Sequence, residues 1–483
     1  QNEKNTYGTT YHGYAFNLTN IPVYELPAGE VLMAVGMEMV DLAGYETVDG
    51  LTEAGGSSGN PRLSTKGSYD SRDIYAEISI PLLADVPGFQ ELNIDYAYRA
   101  TSYSQFDSES VDRTAIKWKP INDITIRATD STSYKAPTIS DLYFGGGGGF
   151  PTYVDPCEQN QYGTYTDAQK ATALAQCAAE GIDATTFSTE NNQILELEVG
   201  NPNLTPEAGK NQTYGIVWEP TSIEFLENID FKMAVDKFEM EIANAVVGSG
   251  VAATLNGCYI NGNSAQCALI ERSYGGDITS VRTANLNSAS IDLYKGTDFS
   301  FNMTFEDVAM IGGSIEVDLI GTHFEENVTV TASGISDDVV GDCYNFGESC
   351  FNRDRVNLAV RWRNEDWNVG LTTRYLSEIP VQDGVVDYFS AEGGAYGEGT
   401  YTQAQLEDIY DIYSIPDITY TYLNVGYRYS DSVQLTLAVS NLFDKQPPYY
   451  KDFFGFVDPQ IQTPQNTYDI VGRYFQVGFK LTL

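Results

Sequence analysis

Histidine is almost missing from this chain of 483 residues, where His12 and His323 are the only two. So small a supply leaves little for a His-ligated metal centre or a histidine general base, and puts hydrolases and zinc enzymes at poor odds. Cations are scarce as well: 27 Lys and Arg stand against 67 Asp and Glu, a formal net charge of −40. Nucleic acid is thereby excluded as a partner and an anionic membrane surface disfavoured, because both are gripped through basic side chains. No window approaches the roughly 18–20 consecutive apolar residues of a membrane helix. Any membrane crossing therefore falls to strands. The opening residues Gln1–Tyr11 carry neither a basic n-region nor an apolar h-region, so the expectation is a removed signal or a piece of a longer protein.

What the chain does have is aromatic surface. With 34 Tyr, 22 Phe and only 19% charged residues it is too apolar to be disordered, and it folds around or against something greasy. Alternation with period 2 dominates, as in Leu92–Arg99, Val433–Ser440 and the hairpin of Val356–Arg363 with Trp367–Thr372. Short turns near Pro27–Gly29, Asp85–Pro87, Pro120–Asn122, Pro220–Thr221, Glu306–Asp307, Asn364–Asp366 and Ser430–Asp431 alternate with long polar stretches near 43–66, 135–209, 246–277, 325–352, 378–417 and 445–470. Every second connection is short. That rhythm predicts an all-β, antiparallel, up-and-down transmembrane barrel with turns on one rim and loops on the other, about 15 strands of it in this chain. Trp118, Trp218, Trp362 and Trp367 all sit beside short turns, which predicts an aromatic girdle at the membrane interface on the turn side.

Six cysteines fall as three close pairs inside the long stretches. The local pairings Cys157–Cys177, Cys258–Cys267 and Cys343–Cys350 are the easiest to close, and they point to an oxidising compartment. Ala168–Gly181 reads as a short helix within the first of these loops, and the run Gly145–Gly149 as a flexible apex flanked by aromatics. No cofactor is expected. The acidic runs Asp107–Glu109 and Ser336–Asp338 offer oxygens to Ca²⁺ but lack EF-hand spacing, so a solvated loop face is the simpler reading. No nucleophile and base can be paired, so the chain does not read as an enzyme.

Several motifs carry a family resemblance. Tyr75–Leu82, Tyr134–Leu142, Gly200–Glu207 (Gly-Asn-Pro-Asn-Leu-Thr-Pro-Glu), Val439–Pro448 (Val-Ser-Asn-Leu-Phe-Asp-Lys-Gln-Pro-Pro) and Gly472–Phe475 resemble, in this order along the chain, elements of TonB-dependent outer-membrane receptors. Lys135 stands where that family usually has Arg, and Leu483 where it usually has an aromatic residue. The resemblance implies that residues 1–483 are the C-terminal part of a roughly 22-stranded barrel, with the plug domain and the TonB-contacting box outside this chain. It also implies a Gram-negative outer membrane, lipid around the barrel, loops facing the exterior, and the TonB–ExbB–ExbD system as partner. Substrate would be held by loop aromatics: Tyr143, Phe144, Phe150 and Tyr153 on the first large loop, Tyr388, Phe389, Tyr396 and Tyr401 on the 378–417 loop. The stretch from Asp155-Pro156-Cys157 to Cys177 tilts the expected solute towards a saccharide or peptide and away from a siderophore or cobalamin. Rival readings are a passive porin, with Arg99, Arg361, Arg363 and Arg374 lining the lumen, and an adhesin or structural barrel.

Overall fold

The computed structural model of the chain describes residues 4–158, 166–189, 193–220, 229–288, 292–306, 308, 311–330, 336–344, 349–380, 414–449, 463–464 and 466–482. Fifteen long strands follow one another in a single antiparallel path. They are β1 (Thr6–Leu26), β2 (Gly29–Thr47), β3 (Thr65–Val86), β4 (Phe89–Tyr103), β5 (Glu109–Ile121), β6 (Ile124–Lys135), β7 (Glu207–Trp218) and β8 (Ile229–Ala243). The path continues with β9 (Asp292–Phe305), β10 (Ser314–Val330), β11 (Asp354–Arg363), β12 (Trp367–Leu376), β13 (Ile418–Ser430), β14 (Val433–Ser440) and β15 (Tyr474–Leu481). Each strand pairs with its predecessor, so the strand count is as expected. The short turns near Pro27–Gly29, Asp85–Pro87, Pro120–Asn122, Asn364–Asp366 and Ser430–Asp431 are present, while those expected at Pro220–Thr221 and Glu306–Asp307 fall partly outside the described residues. At the Asp85–Pro87 turn, Asp85 and Gly88 take φ values of 55° and 82°, the left-handed geometry a tight hairpin needs.

Alternation sorts each strand into two faces. The outward row on β15, Phe475, Val477, Phe479 and Leu481, stands in register with Val439, Leu437, Leu435 and Val433 of β14. Phe475, Val477, Phe479, Leu481 and Leu435 are exposed, as a lipid-facing surface requires, while Val439 at the loop end of β14 is buried. On β2 the outward apolar row runs Val31, Met33, Val35, Met37, Met39 and then changes to Asp41, which lies level with His12 of β1 and Asp70 of β3. Nine residues of apolar strand match the thickness of a bilayer core crossed at a tilt. The remaining length of β1, β2 and β3, strands of 21, 19 and 22 residues, continues past that band. About six to eight residues at ~3.3 Å each, tilted, raise this wall roughly 20 Å above the apolar belt.

Inward positions are polar and tied across strands. Arg127 of β6 makes a bidentate pair with Asp236 of β8, at 2.7 and 2.6 Å, passing over Gly215 of the intervening β7. A Cβ at Gly215 would overlap the Asp236 carboxylate. Tyr75 of β3 reaches Asn17 of β1 over Gly36 of β2 in the same manner.

The connections on the other rim depart from simple loops. The first large loop begins after Lys135 and ends at Glu207, as expected, but the next extends to Asp292 rather than 277. Its segment Ile278–Asn287 is a strand, yet it pairs antiparallel with Val246–Gly248 and Ile270–Arg272, and parallel with Leu195–Val199 of the preceding loop. Alternation alone could not tell this strand from a wall strand. The glycine run is also corrected: Gly147–Gly149 is the edge strand of that same small sheet, paired with Leu195–Val199, not a flexible apex. Its neighbour Gly145 passes so close to the carbonyl of Ser64 that any side chain would collide.

Candidate functional site

The two largest loops form one folded cap above the sheet. Its core joins Cys157, Ala173, Cys177, Ile182 and Ile194 of the first loop to Val251, Leu255, Cys258, Tyr259, Ile278 and Val281 of the second. The helix expected over Ala168–Gly181 is present as Asp167–Ala179, capped by Thr166, whose hydroxyl accepts from the Gln169 amide at 3.3 Å while the Gln169 carbonyl accepts from Thr166 N at 3.0 Å. A second helix, Gly250–Tyr259, was not legible: its small and apolar residues lack an amphipathic stripe. Disulfides Cys157–Cys177 and Cys258–Cys267 close within each loop. In the third loop the ladder places Cys343 opposite Cys350, and Cys350 is disulfide-bonded.

One buried ion pair rivets the loops together. Arg272 donates from Nη1 to Asp155 Oδ2 at 2.6 Å and from Nη2 to Asp155 Oδ1 at 2.8 Å. Its remaining N–H groups reach the Gly276 carbonyl at 2.5 Å, the Tyr259 hydroxyl at 2.9 Å and Cys157 Sγ at 3.6 Å. Asp155 is wholly buried. Tyr259 donates to Glu180 Oε2 at 2.7 Å, and burial pushes its phenol well above the usual range. Burial opposes the Arg272 charge, but the hydrogen bond and charge of Asp155 more than reverse this and hold the guanidinium protonated.

The resemblance motifs turn out to be tie points. Lys135 pairs with Glu207 at 3.2 Å, and Glu207 Oε1 accepts from Val246 N at 2.9 Å, so the ends of both loops meet at one carboxylate. Asn201 donates to the Asn285 carbonyl at 2.9 Å. Asn287 donates to the Thr205 and Asn244 carbonyls at 2.9 and 2.8 Å. Thr138 and Asp141 form a capping box at the helix Ile139–Tyr143, and Leu142 is buried beneath it. At the other end of the chain, Asn441 folds left-handed with φ 48° and closes on Lys445 through two bonds of 2.8 Å. Asp444 then accepts from Arg473 N at 2.9 Å, joining the last two motifs.

The expected loop aromatics divide. Tyr143 packs its ring against Gly67 of β3, Phe144 lies over Gly147, and Tyr153 backs onto the cap core. Only Phe150 of these four faces solvent, at 52% exposure. Tyr388, Phe389, Tyr396 and Tyr401 lie outside the described residues. A further aromatic group, missed in the sequence because its members come from three strands and a loop, gathers Tyr69, Tyr103, Phe106 and Tyr134. Of the acidic runs, Asp338 spends its carboxylate on Asn327 N and Val340 N, at 3.0 and 3.1 Å. Among the described residues no three His, Cys, Asp or Glu side chains converge as a metal site requires.

On the turn rim all four tryptophans take outward positions. Trp118 and Trp362 donate their indole N–H to the carbonyls of Gly88 and Gly312, each at 2.9 Å. Trp218 meets Phe231 with centroids 5.1 Å apart, and Trp367 meets Tyr427 at 4.4 Å. Inward-facing Arg99 is held by Asp73 at 2.8 Å and Glu38 at 3.2 Å, and Arg361 by Asp318 at 2.5 Å and Glu316 at 3.1 Å.

Solved structures share this fold. The siderophore receptor PirA from Acinetobacter baumannii superposes with a TM-score of 0.57 at 14% identity over 99% of this chain and 55% of its own. A mutant of the ferric enterobactin receptor PfeA from Pseudomonas aeruginosa gives 0.59 at 15% identity, over 99% and 54%. The hemophore receptor HasR from Serratia marcescens gives 0.52 at 12% identity, over 91% and 57%. The chain thus spans little more than half the length of these proteins. No match is found among curated proteins. The family model described as TonB dependent receptor-like, beta-barrel matches residues 1–442, and with its alternating turns and loops, its one-path antiparallel sheet and its motifs at the loop ends, the chain belongs to that receptor family.

Proposed function

We propose that residues 1–483 form the C-terminal part of the barrel of an outer-membrane receptor that takes up a scarce solute, with the loops facing the cell exterior and the short turns facing the periplasm. The observation that carries this reading is the cap: two long loops on one rim fold into a cored, disulfide-closed unit, while the opposite rim has mostly tight turns. Ordered loops lose little entropy when they close on a ligand. The indole row on the turn rim supports the orientation, since indoles settle at a membrane interface. Energy would come from the TonB–ExbB–ExbD system through parts of the receptor beyond these residues.

A saccharide or peptide is favoured over a siderophore or cobalamin. The six long stretches and the brief loop at 104–110 carry 35 acidic and 7 basic residues. Such a rim repels anionic chelates. The porin reading gains nothing from the lumen arginines, because Arg99 and Arg361 are neutralised by carboxylates of neighbouring strands. The decisive measurement is accumulation of labelled oligosaccharides and oligopeptides by cells carrying the complete gene, with and without TonB. Uptake lost on deleting either is the expected result. Conductance or uptake that is indifferent to TonB overturns it in favour of a passive channel.

A further inference from the structure

Beside Arg272 the cap opens into a cleft of about 350 Å³. Glu180, Asp183, Thr186, Phe187, Ile270 and Tyr274 line it. Its frame is fixed from below: the hairpin turn closes through Ser273 N to the Asp277 carbonyl at 2.8 Å and Gly276 N to the Ser273 carbonyl at 3.1 Å. Gly276 sits at φ +98°, with the edge of Phe187 where a side chain would lie. The turn thereby holds the Tyr274 side chain fully in water, the most exposed large hydrophobic side chain among the described residues.

The chemistry of the lining is one-sided. Arg272, the cation nearest the cleft, has its N–H groups committed to Asp155, Tyr259, Gly276 and Cys157. It has no donor left for a ligand. The carboxylates are only half used. Glu180 takes its bonds on Oε2, from Tyr259 at 2.7 Å and Arg272 at 2.9 Å, and Asp183 takes its bonds on Oδ1, from Thr185 Oγ1 at 2.6 Å and Thr185 N at 3.0 Å. Those bonds from Thr185 hold the Asp183 carboxyl below its usual range and so ionised. One oxygen of each carboxylate, the acceptor side of the Thr186 hydroxyl, whose proton goes to the Asp183 carbonyl at 3.4 Å, and a bare aromatic face remain for an incoming group. An anion meets repulsion there, and a neutral sugar leaves the charge unused.

We propose that this cleft is a capture subsite for basic side chains of a peptide, an ammonium or guanidinium lodging between Glu180 and Asp183 with its stem across Tyr274 and Phe187. The inference rests on the uptake reading above and narrows its solute to a cationic peptide. Cation–π contact with an exposed ring and a half-exposed ion pair each contribute modestly, so affinity would come from several such groups on one ligand.

The test is calorimetric titration of the complete receptor with pentalysine, pentaglycine and maltopentaose at low and high salt. The Tyr274→Ala/Asp183→Asn double variant, both changes being on the surface, is expected to raise the Kd for pentalysine about tenfold. The Glu271→Gln variant, an exposed carboxylate on the same hairpin bonded to Ser280 Oγ at 2.9 Å, serves as the charge control and should shift it less than about twofold. Equal Kd in the wild type and the double variant overturns the proposal, leaving only a diffuse acidic surface. Binding of maltopentaose that depends on Tyr274 overturns it as well, in favour of a saccharide subsite. In cells the two readings separate: TonB-dependent peptide uptake untouched by the double variant sinks the cleft alone, and cleft binding with TonB-independent uptake sinks the transport reading alone.

Discussion

Arg272 places a full positive charge where solvent scarcely reaches, and the bidentate geometry to Asp155 is what makes that tolerable. Removing the guanidinium would leave a wholly buried carboxylate without its partner, a loss of about 3–5 kcal/mol. Arg272→Ala is therefore expected to undock the two loops, seen as hydrogen exchange accelerating across Ile278–Asn287 while β2 and β3 keep their protection. Uniform protection in both would show that the apolar core alone holds the cap. This pair was not legible in the sequence. Asp155 and Arg272 lie 117 positions apart, and neither sits in a pattern that distinguishes it from other loop charges. The motifs fared better where their side chains do local work: Asn201 accepts from Asn203 N at 3.0 Å and Asn441 from Lys445 N at 2.8 Å, while the bonds of Asn201 to Asn285 and of Glu207 to Val246 cross between loops and were no more legible than the ion pair. A side chain that caps a neighbouring backbone leaves its trace in a short stretch of sequence, whereas one that pairs across the fold does not.

Among the elements, the wall strands were readable because one face must be apolar and the other polar, which imposes period 2 whatever the partner strand. Ile278–Asn287 follows the rule for a different reason and with one register shift after Ile278, which turns both Ile278 and Val281 to the cap core. Periodicity states that a strand has two unlike faces; it does not name what lies against them. Covalent links resolve part of this ambiguity. The Cys157–Cys177 bridge spans 20 positions and pins the helix Asp167–Ala179 to the segment that carries Asp155. By loop-closure reasoning it stabilises the cap by about 3 kcal/mol, and the shorter Cys258–Cys267 closure by somewhat less. The double replacement Cys157→Ser/Cys177→Ser should leave the far-ultraviolet strand signal in place and make the helix Asp167–Ala179 exchange rapidly, as measured by mass spectrometry. Unchanged exchange there would assign the helix's stability to its packing against Val251 and Leu255.

At the scale of the whole molecule, acidity and sheet closure have separate causes. The negative charge gathers on the loop rim, where water and ions screen it and where mutual repulsion keeps neighbouring copies apart. The sheet itself poses a different question. Along an antiparallel path of fifteen strands, β1 and β15 run in the same direction, and among the described residues neither has a partner on its outer edge. They cannot seal antiparallel against each other. Closure of that kind takes an odd number of additional strands, which agrees with a barrel of even strand count. Two open edges inside a bilayer would leave rows of backbone N–H and C=O groups without partners, at several kcal/mol for each group. Residues 1–483 produced alone and refolded into detergent should therefore show no heat-modifiable band on a denaturing gel, the mark of a sealed barrel, and should associate through their edges. Supplying the upstream part of the receptor in the same refolding mixture should restore that band. A heat-modifiable monomer from residues 1–483 alone would mean that β1 and β15 meet in a parallel seam, and the barrel would then be complete with an odd number of strands.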